Sequence, residues 1–360
     1  MKKPTLMLFI AFLLSLLLFL FLVDYANAAC KGKTYEFKCG DKVNESCTMD
    51  RDESARGDCF TIADKNIVLD CSNFMIEGNE SGIGIKIERG LNNITIKNCI
   101  ILRFNEGIYA ENSSNITIFN NFLRNNSAMG IFITYCNYTN ITYNTVYENG
   151  YENGKGIYME HGSGNVINNN TIQRSTYGIE LFEIANSNIT FNEVYENSRY
   201  DFYLRTVSWC RLDNNLAHNS RGGFFLESNS SYNTLDNNTA YNETSSGFNI
   251  AFGTYNNLTN NKAHDNNNGF GLSTNPSASG PTNNNLLMNN EAYNNTGDGF
   301  KLSSGGMGTV DENTLFNNTA YYNNDNGFNL GSWGGSVRNN NLTNNIRASQ
   351  PIQWLYFNMV

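Results

Sequence analysis

From Gly84 to Gly327 the chain restarts the same short phrase about every 22 to 30 residues. A repeat of that length cannot enclose a core of its own, so its copies must stack and share one. The phrase opens with Gly and then Ile or Phe: Gly84-Ile85, Gly107-Ile108, Gly130-Ile131, Gly156-Ile157, Gly178-Ile179, Gly223-Phe224, Gly247-Phe248, Gly269-Phe270, Gly299-Phe300 and Gly327-Phe328. Asp201-Phe202 takes one place in the series, and Cys59-Phe60 begins an earlier one. Eight to twenty residues later comes a second phrase of an aliphatic residue, two polar residues, Asn, any residue, then Val, Ile, Leu or Ala, as in Ile141-Thr142-Tyr143-Asn144-Thr145-Val146.

Between these landmarks, runs of three to five alternating apolar and polar residues are broken by Asn, Gly, Asp and Ser. That is strand-and-turn chemistry, and no helical period follows the N-terminal leader. Strands stacked rung on rung at about 4.8 Å give parallel sheets, so the sequence predicts an all-β parallel solenoid. About twelve rungs over residues 59–342 make a rod of roughly 55 Å. A stack of this kind exposes strand edges at both ends. Residues 30–58 are expected to cap the first end, and 343–360, with Trp354, Leu355, Tyr356 and Phe357, the other. The Gly-, Ser- and Pro-rich interruptions from Thr274 to Asn284 and from Ser303 to Asp311 are expected to loop out.

Two columns fix a register. The Asn of the second phrase recurs as Asn121, Asn144, Asn170, Asn192, Asn215, Asn238, Asn261, Asn290, Asn318 and Asn340, with Cys99 and Ser72 in the earliest slots. Stacked Asn amides can bond along the axis. Two residues after that slot, rungs opening with Ile carry Leu123, Val146, Ile172 and Val194, whereas rungs carrying Phe202, Phe224, Phe248, Phe270 and Phe300 have Ala217, Ala240, Ala263, Ala292 and Ala320. Such an exchange keeps volume constant across one interior. The last rung, read with Phe328 and Leu342, breaks the rule.

Lys2 and Lys3 precede an apolar run from Leu6 to Val23, followed by Ala26-Asn27-Ala28. This is a signal peptide, residues 1–28, or an N-terminal membrane anchor where cleavage fails, so the chain is expected to be secreted or held on the outer face of the cell membrane. Net charge is −9 and lacks the basic footprint that nucleic acid requires. Of eight cysteines, Cys30, Cys39, Cys47 and Cys59 crowd the start, Cys71 and Cys99 follow, and Cys136 and Cys210 stand apart. In an exported chain the early cluster reads as disulfides, with the pairing left open. Asn-x-Ser/Thr sequons such as Asn93-Ile94-Thr95 allow glycosylation.

The stretch Cys39-Gly40-Asp41-Lys42-Val43-Asn44-Glu45-Ser46-Cys47-Thr48, then Asn66-Ile67-Val68-Leu69-Asp70-Cys71 and Asn93-Ile94-Thr95-Ile96-Lys97-Asn98-Cys99, resembles the opening of exported, mostly archaeal, right-handed parallel β-helix repeat proteins of the carbohydrate-binding and sugar-hydrolase group that includes NosD-like proteins. The resemblance runs over roughly residues 35–345 and implies a right-handed, single-stranded parallel β-helix. It implies no single activity, because this fold hosts lyases, hydrolases, epimerases, adhesins and accessory proteins. The NosD name suggests copper, but no His or Met cluster supports it, and neither a metal nor another cofactor is expected.

If the Ile of each opening points inward, the next residue points outward. That outer column reads Lys86, Tyr109, Phe132, Tyr158, Glu180, Tyr203, Phe225, and two residues further on stand Glu88, Glu111, Thr134, Glu160, Phe182, Arg205 and Glu227. An aromatic stripe edged by carboxylates suits polysaccharide. Tyr109, Phe132, Tyr158, Tyr203 and Phe225 are expected to meet sugar rings, with Glu111 and Glu227 accepting their hydroxyl protons. The competing expectation is an enzyme on the same face. Glu160 and Glu180 would act as a carboxylate pair for hydrolysis, or Arg205 would neutralise a uronate for elimination or epimerisation. A structural or adhesive rod is the third. A further outer column, Tyr147, Gln173, Tyr195, His218, Tyr241, His264, Tyr293 and Tyr321, reads as ring stacking.

Overall fold

The computed structural model describes residues 29–150, 153–274 and 280–348. The leader and the aromatic segment from Trp354 to Phe357 lie outside these residues, as does part of the first expected loop. Every element described is a β-strand. Each rung contributes one strand to each of three long sheets, as Met129–Thr134, Asn140–Thr142 and Thr145–Tyr147 do. Successive rungs pair in parallel without slippage, so that Ile131 stands beside Ile157, Ile141 beside Ile167 and Val146 beside Ile172.

The architecture is a right-handed parallel β-helix, the hand that parallel crossover connections take. Its opening sheet has 13 strands, one more than the expected rung count. The extra rung is built from Lys42–Val43, Cys47–Met49 and Glu53–Ser54, within the stretch assigned to the cap. Its strands are two or three residues long, too short to announce themselves by alternation. Cys30–Gly32 runs antiparallel to both Glu36–Phe37 and Cys47–Met49 and covers that end. Disulfides join Cys30 to Cys47, Cys39 to Cys59 and Cys71 to Cys99, tying cap to first rungs and rung to rung. At the far end the second expected loop is mostly strand. Phe300–Gly305 continues the opening sheet, Met307 marks an exposed turn, and Thr309–Asp311 pairs with Ser336–Arg338.

The interior is an aliphatic column that turns aromatic. Phe202, Phe224, Phe248, Phe270, Phe300 and Phe328 stack at 4.5 to 4.9 Å with planes within 9°. Opposite the first five run the small residues Ala217, Ala240, Ala263, Ala292 and Ala320. On the last rung the residue beside Ala320 is Arg347, and Leu342 instead extends the second sheet beside Leu315.

Asparagine holds all three corners. Between the second and third sheets the ladder runs from Asn121 to Asn318 and closes on Asn345. Asn340 belongs to a different ladder, accepting from Asn313 between the opening and second sheets. In each step one Oδ1 accepts both the backbone N–H and the side-chain amide of the Asn one rung earlier, as Asn215 does from Asn192 at 3.0 Å each. Its own Nδ2 then donates to a carbonyl of the earlier rung, here that of Ile189 at 2.7 Å. The Asn-Asn dipeptides follow from this arrangement. The first member, such as Asn120, Asn169, Asn214 or Asn237, turns the corner at φ 53 to 55°, a left-handed conformation Asn tolerates, and the second enters the ladder. Cys136 and Cys210 are buried free thiols in places that Ser or Asn hold elsewhere, and burial pushes both up to about 11.

Two outcomes follow from this packing. Thiol titration of the native protein with an aromatic disulfide should find Cys136 and Cys210 unreactive, and unfolding without reductant should release two thiols rather than eight. Asn215→Ala orphans two buried donors at about 1–3 kcal/mol each, so urea titration should show a loss of about 3 kcal/mol, against about 0.5 kcal/mol or less for the outward-facing Thr239→Ala.

Candidate functional site on the opening sheet

The opening strands do not alternate throughout. In Glu106–Glu111 the burial runs half-buried, buried, buried, half-buried, buried, half-buried. The chain bends at the Gly, so two successive residues face inward before alternation resumes. Glycine is required there, since a Cβ on Gly107 would stand 2.6 Å from the carbonyl oxygen of Gly130 and 2.7 Å from a Leu123 methyl. Beyond the bend, Tyr109, Phe132, Tyr158, Glu180, Tyr203 and Phe225 are consecutive register partners on the outer face. Thr134, Glu160, Phe182, Arg205 and Glu227 form the column beside them, with Glu111 next to Thr134.

The rings form two packed groups. Phe132 lies 5.2 Å from both Tyr109 and Tyr158, and Tyr203 stacks on Phe225 and on Tyr177 at 5.6 and 5.1 Å. Tyr109, Phe132, Tyr203 and Phe225 are half-buried, and Tyr158 is 7% exposed. Rings stacked along the axis cover one another's faces, so the groups present mainly edges and hydroxyls outward. Three of the tyrosine hydroxyls are bound to carboxylates: Tyr109 donates to Glu111 at 2.8 Å, Tyr158 to Glu160 at 2.5 Å, and Tyr203 to Glu227. Burial first, and then the acceptor carboxylate, hold all three phenols above their ordinary range, so they remain donors rather than bases. Glu111 is held low by Arg89 and then by the Tyr109 hydroxyl. These two side chains, with Lys86 and Glu88, line a shallow groove at the early end.

Between the two ring groups sits a charged insert. The Glu180 side chain is 3% exposed, with one oxygen 2.5 Å from the Arg205 guanidinium and the other 3.2 Å from Lys155 Nζ. The same cations lie over rings, Lys155 at 3.6 Å from the Tyr158 centroid and Arg205 at 4.7 Å from that of Phe182. Glu160 and Glu180 fall on adjacent rungs, Glu160 beside Phe182 and Glu180 beside Tyr158. Glu160 is the more open of the two and also accepts from the Thr134 hydroxyl at 3.0 Å. Lys155, Tyr177 and Tyr200 belong to this face but were not legible from alternation, because they precede the bend, at Gly156, Gly178 and Asp201 respectively. The signal that could have found them is their common place just before the inward pair of each opening phrase.

The histidines are otherwise engaged. His161 pairs with Glu183 at 2.8 Å and stacks on Tyr135. His218 and His264 lie in a continuous ring column on the third sheet, Tyr195, His218, Tyr241, His264, Tyr293 and Tyr321, at 4.6 to 5.2 Å. A shorter exposed stack, Trp209, Tyr232 and Tyr255, runs along the corner between the opening and second sheets. Sequence reading did not pick out that ridge.

With this geometry in hand, comparison with known proteins is informative about the fold. Residues 182–346 match the family described as right handed beta helix region, and residues 44–198 match the family described as periplasmic copper-binding protein (NosD). This is a right-handed β-helix repeat protein. Its three disulfides fit an extracytoplasmic location, as the periplasmic family does. No curated protein matches the chain. Among solved structures the β-helix superposes on the periplasmic alginate epimerase AlgG with a TM-score of 0.59 and 15% identity, covering 82% of this chain and 78% of that one. The Azotobacter vinelandii mannuronan C-5 epimerase AlgE6 A-module gives a TM-score of 0.50 and 14% identity, covering 87% and 92%. Likeness at this identity establishes the shared fold. A copper site would need converging soft or imidazole ligands. Among the described residues no three His, Cys, Asp or Glu side chains converge to hold a metal.

The ion group makes a stability prediction. Breaking one arm leaves a buried carboxylate with a single cation, so Lys155→Met and Arg205→Met should each destabilise by about 2 kcal/mol, and Glu180→Gln in the Lys155→Met background should restore part of that loss. Urea titration of the three variants provides the check.

Proposed function

We propose that this extracytoplasmic β-helix binds polysaccharide along the outer face of its opening sheet, with the glycan running parallel to the rod axis from the Lys86 to Glu111 groove, past Tyr158 and Arg205, to Phe225. The observation that carries this reading is the series of hydroxyl–carboxylate pairs, Tyr109 with Glu111, Tyr158 with Glu160 and Tyr203 with Glu227, set among half-buried rings on one rigid face. A rung height of about 4.8 Å approximates one hexose unit, so neighbouring rungs would meet neighbouring sugars. Carboxylates accept sugar hydroxyl protons, and Arg205, Arg89 and Lys86 donate. With ring faces largely used in stacking, hydrogen bonding dominates and apolar contact is limited to ring edges. Beyond Phe225 the same column continues as Asn249, Gly271, Lys301 and Asn329, which lack this chemistry.

A second reading, an enzyme acting on polysaccharide at the same place, draws support from the short Tyr158–Glu160 contact two rungs from Arg205. Glu160 would then be the reacting carboxylate, while Glu180, engaged by two cations, would orient Arg205. Affinity electrophoresis of the exported protein against acidic and neutral polysaccharides tests the binding reading. Glu111→Gln and Glu227→Gln should each weaken retention by roughly tenfold. Tyr321→Phe, which removes an equivalent hydroxyl–carboxylate pair with Glu291 at 2.6 Å on the third sheet, should leave it unchanged. Equal retention of all variants would reject this face, and no retention of any glycan would favour a structural rod. Unsaturated, shortened or epimerised product would favour the enzyme, with Glu160→Gln abolishing it.

A further inference from the structure

Asp201 occupies a place that glycine holds on both neighbouring rungs, since the register sets Phe202 between Ile179 and Phe224. The reason for glycine is steric. A Cβ on Gly178 would lie 2.1 Å from a Val194 methyl and 3.0 Å from Asn197 Nδ2. On the Asp201 rung both of the corresponding neighbours are smaller, Ala217 in the third sheet and Ser220 in the corner ladder. The Asp201 carboxylate takes the vacated volume and does the work of a missing ladder amide: its Oδ1 accepts from Asn197 Nδ2 at 2.7 Å and from Ser220 Oγ at 2.6 Å.

One rung on, the ladder residue is Glu243, not Asn. Its Oε2 accepts from the Ser220 backbone at 2.9 Å, and its own N–H returns to Asn266 at 2.9 Å. Asp201 is fully buried and Glu243 is 3% exposed. Their remaining oxygens, Asp201 Oδ2 and Glu243 Oε1, are buried with no donor, and both carboxyl groups bind the same residue, Asp201 the Ser220 hydroxyl and Glu243 the Ser220 backbone N–H. Two carboxylates cannot satisfy each other without a hydrogen between them.

We propose that Asp201 and Glu243 share a proton across these two oxygens, that this proton replaces the amide hydrogen the ladder lacks, and that the middle of the rod is therefore a joint that tightens in acid and loosens when the pair ionises fully. Charged neighbours lie to the outside. Arg199 binds the Tyr177 hydroxyl, Arg221 is exposed, His218 is stacked between Tyr195 and Tyr241 with Glu193 as its acidic partner, and His264 pairs with Asp265. Burial raises Glu243 to about 7, and burial together with the Glu243 charge raises Asp201 well above the usual carboxylate range. Raised carboxyl values mean that stability is complete below about pH 4, where unfolded carboxylates titrate, and is lost as pH rises through the folded values. Asp201 stands two residues before Tyr203 and four before Arg205 on the same strand, so loosening would reach the proposed glycan face. That last link rests on the polysaccharide reading, whereas the shared proton does not.

Urea titrations of the whole exported protein from about pH 5 to about pH 8, with chelator present, decide the matter. The wild-type folding constant should fall by up to about tenfold per pH unit for each proton released, and Asp201→Asn, whose amide carries its own hydrogen, should remove most of that slope. Subtracting the variant profile cancels surface carboxylates such as Asp50, which Arg51 and Lys31 hold down to about 2. Glu243→Gln provides the same comparison if Asp201→Asn does not fold by circular dichroism. A wild-type slope that both substitutions leave intact overturns the proposal. So does stabilisation by calcium or potassium at pH 8 that either variant abolishes, because a cation and not a proton would then fill the gap. Glycan retention measured over the same range should weaken with rising pH in the wild type and stay level in Asp201→Asn. If no glycan is retained at any pH, the polysaccharide reading fails while the urea profile still judges the proton.

Discussion

The corner asparagines are the constraint on which this β-helix depends. Every rung turns three corners, and each turn brings backbone amides and carbonyls inside, where no water reaches them. An asparagine side chain that accepts twice from one rung and donates to a carbonyl of that same rung satisfies these groups with a single residue, as Asn192 and Asn215 do. Because each bond joins neighbouring rungs, the ladders set rung height and register together. The ladder step is kept when the spacing between its asparagines lengthens from 23 residues, Asn238 to Asn261, to 29, Asn261 to Asn290.

The interior accommodates change between its walls. Where the opening strand brings Phe, the third sheet recedes to Ala, and both columns continue as uninterrupted stacks. Rigidity of this kind makes the outer face a fixed ruler, with one presenting position per rung. The aromatic and acidic stretch of that ruler covers the aliphatic rungs of the core and runs on over the first two Phe rungs, where Tyr203 follows Phe202 and Phe225 follows Phe224. Chemistry on the surface was free to vary because the Gly bend, not the outward side chain, shapes the strand.

Much of this was legible in the residues. The repeat period, the outward columns from Lys86 to Phe225 and the exchange of Val for Ala all follow from alternation and volume, and the register agrees with them. Failures came where those rules lapse. Asn340 and Asn345 lie in similar polar surroundings, and only pairing assigns the first to the ladder through Asn313 and the second to the ladder through Asn318. The first rung was missed because strands of two or three residues, such as Lys42–Val43, carry no periodic signal. Lys155 was missed because the bend at Gly156 breaks the alternation that would have placed it beside Glu180.

By itself the sequence determined a stacked, all-β solenoid and which side of each opening strand faces out, since period and hydrophobic alternation are local properties that stacking can only repeat. Tertiary structure alone decided what the outward and inward polar groups do to one another. Glu180 became a carboxylate sealed between Lys155 and Arg205, and Asp201 and Glu243 both came to bind Ser220, because contacts between rungs join residues distant in sequence whose separations no local pattern encodes. Hydrogen-bond satisfaction in a dry interior is a property of the assembled stack, and it is there that this chain departs from its own repeat.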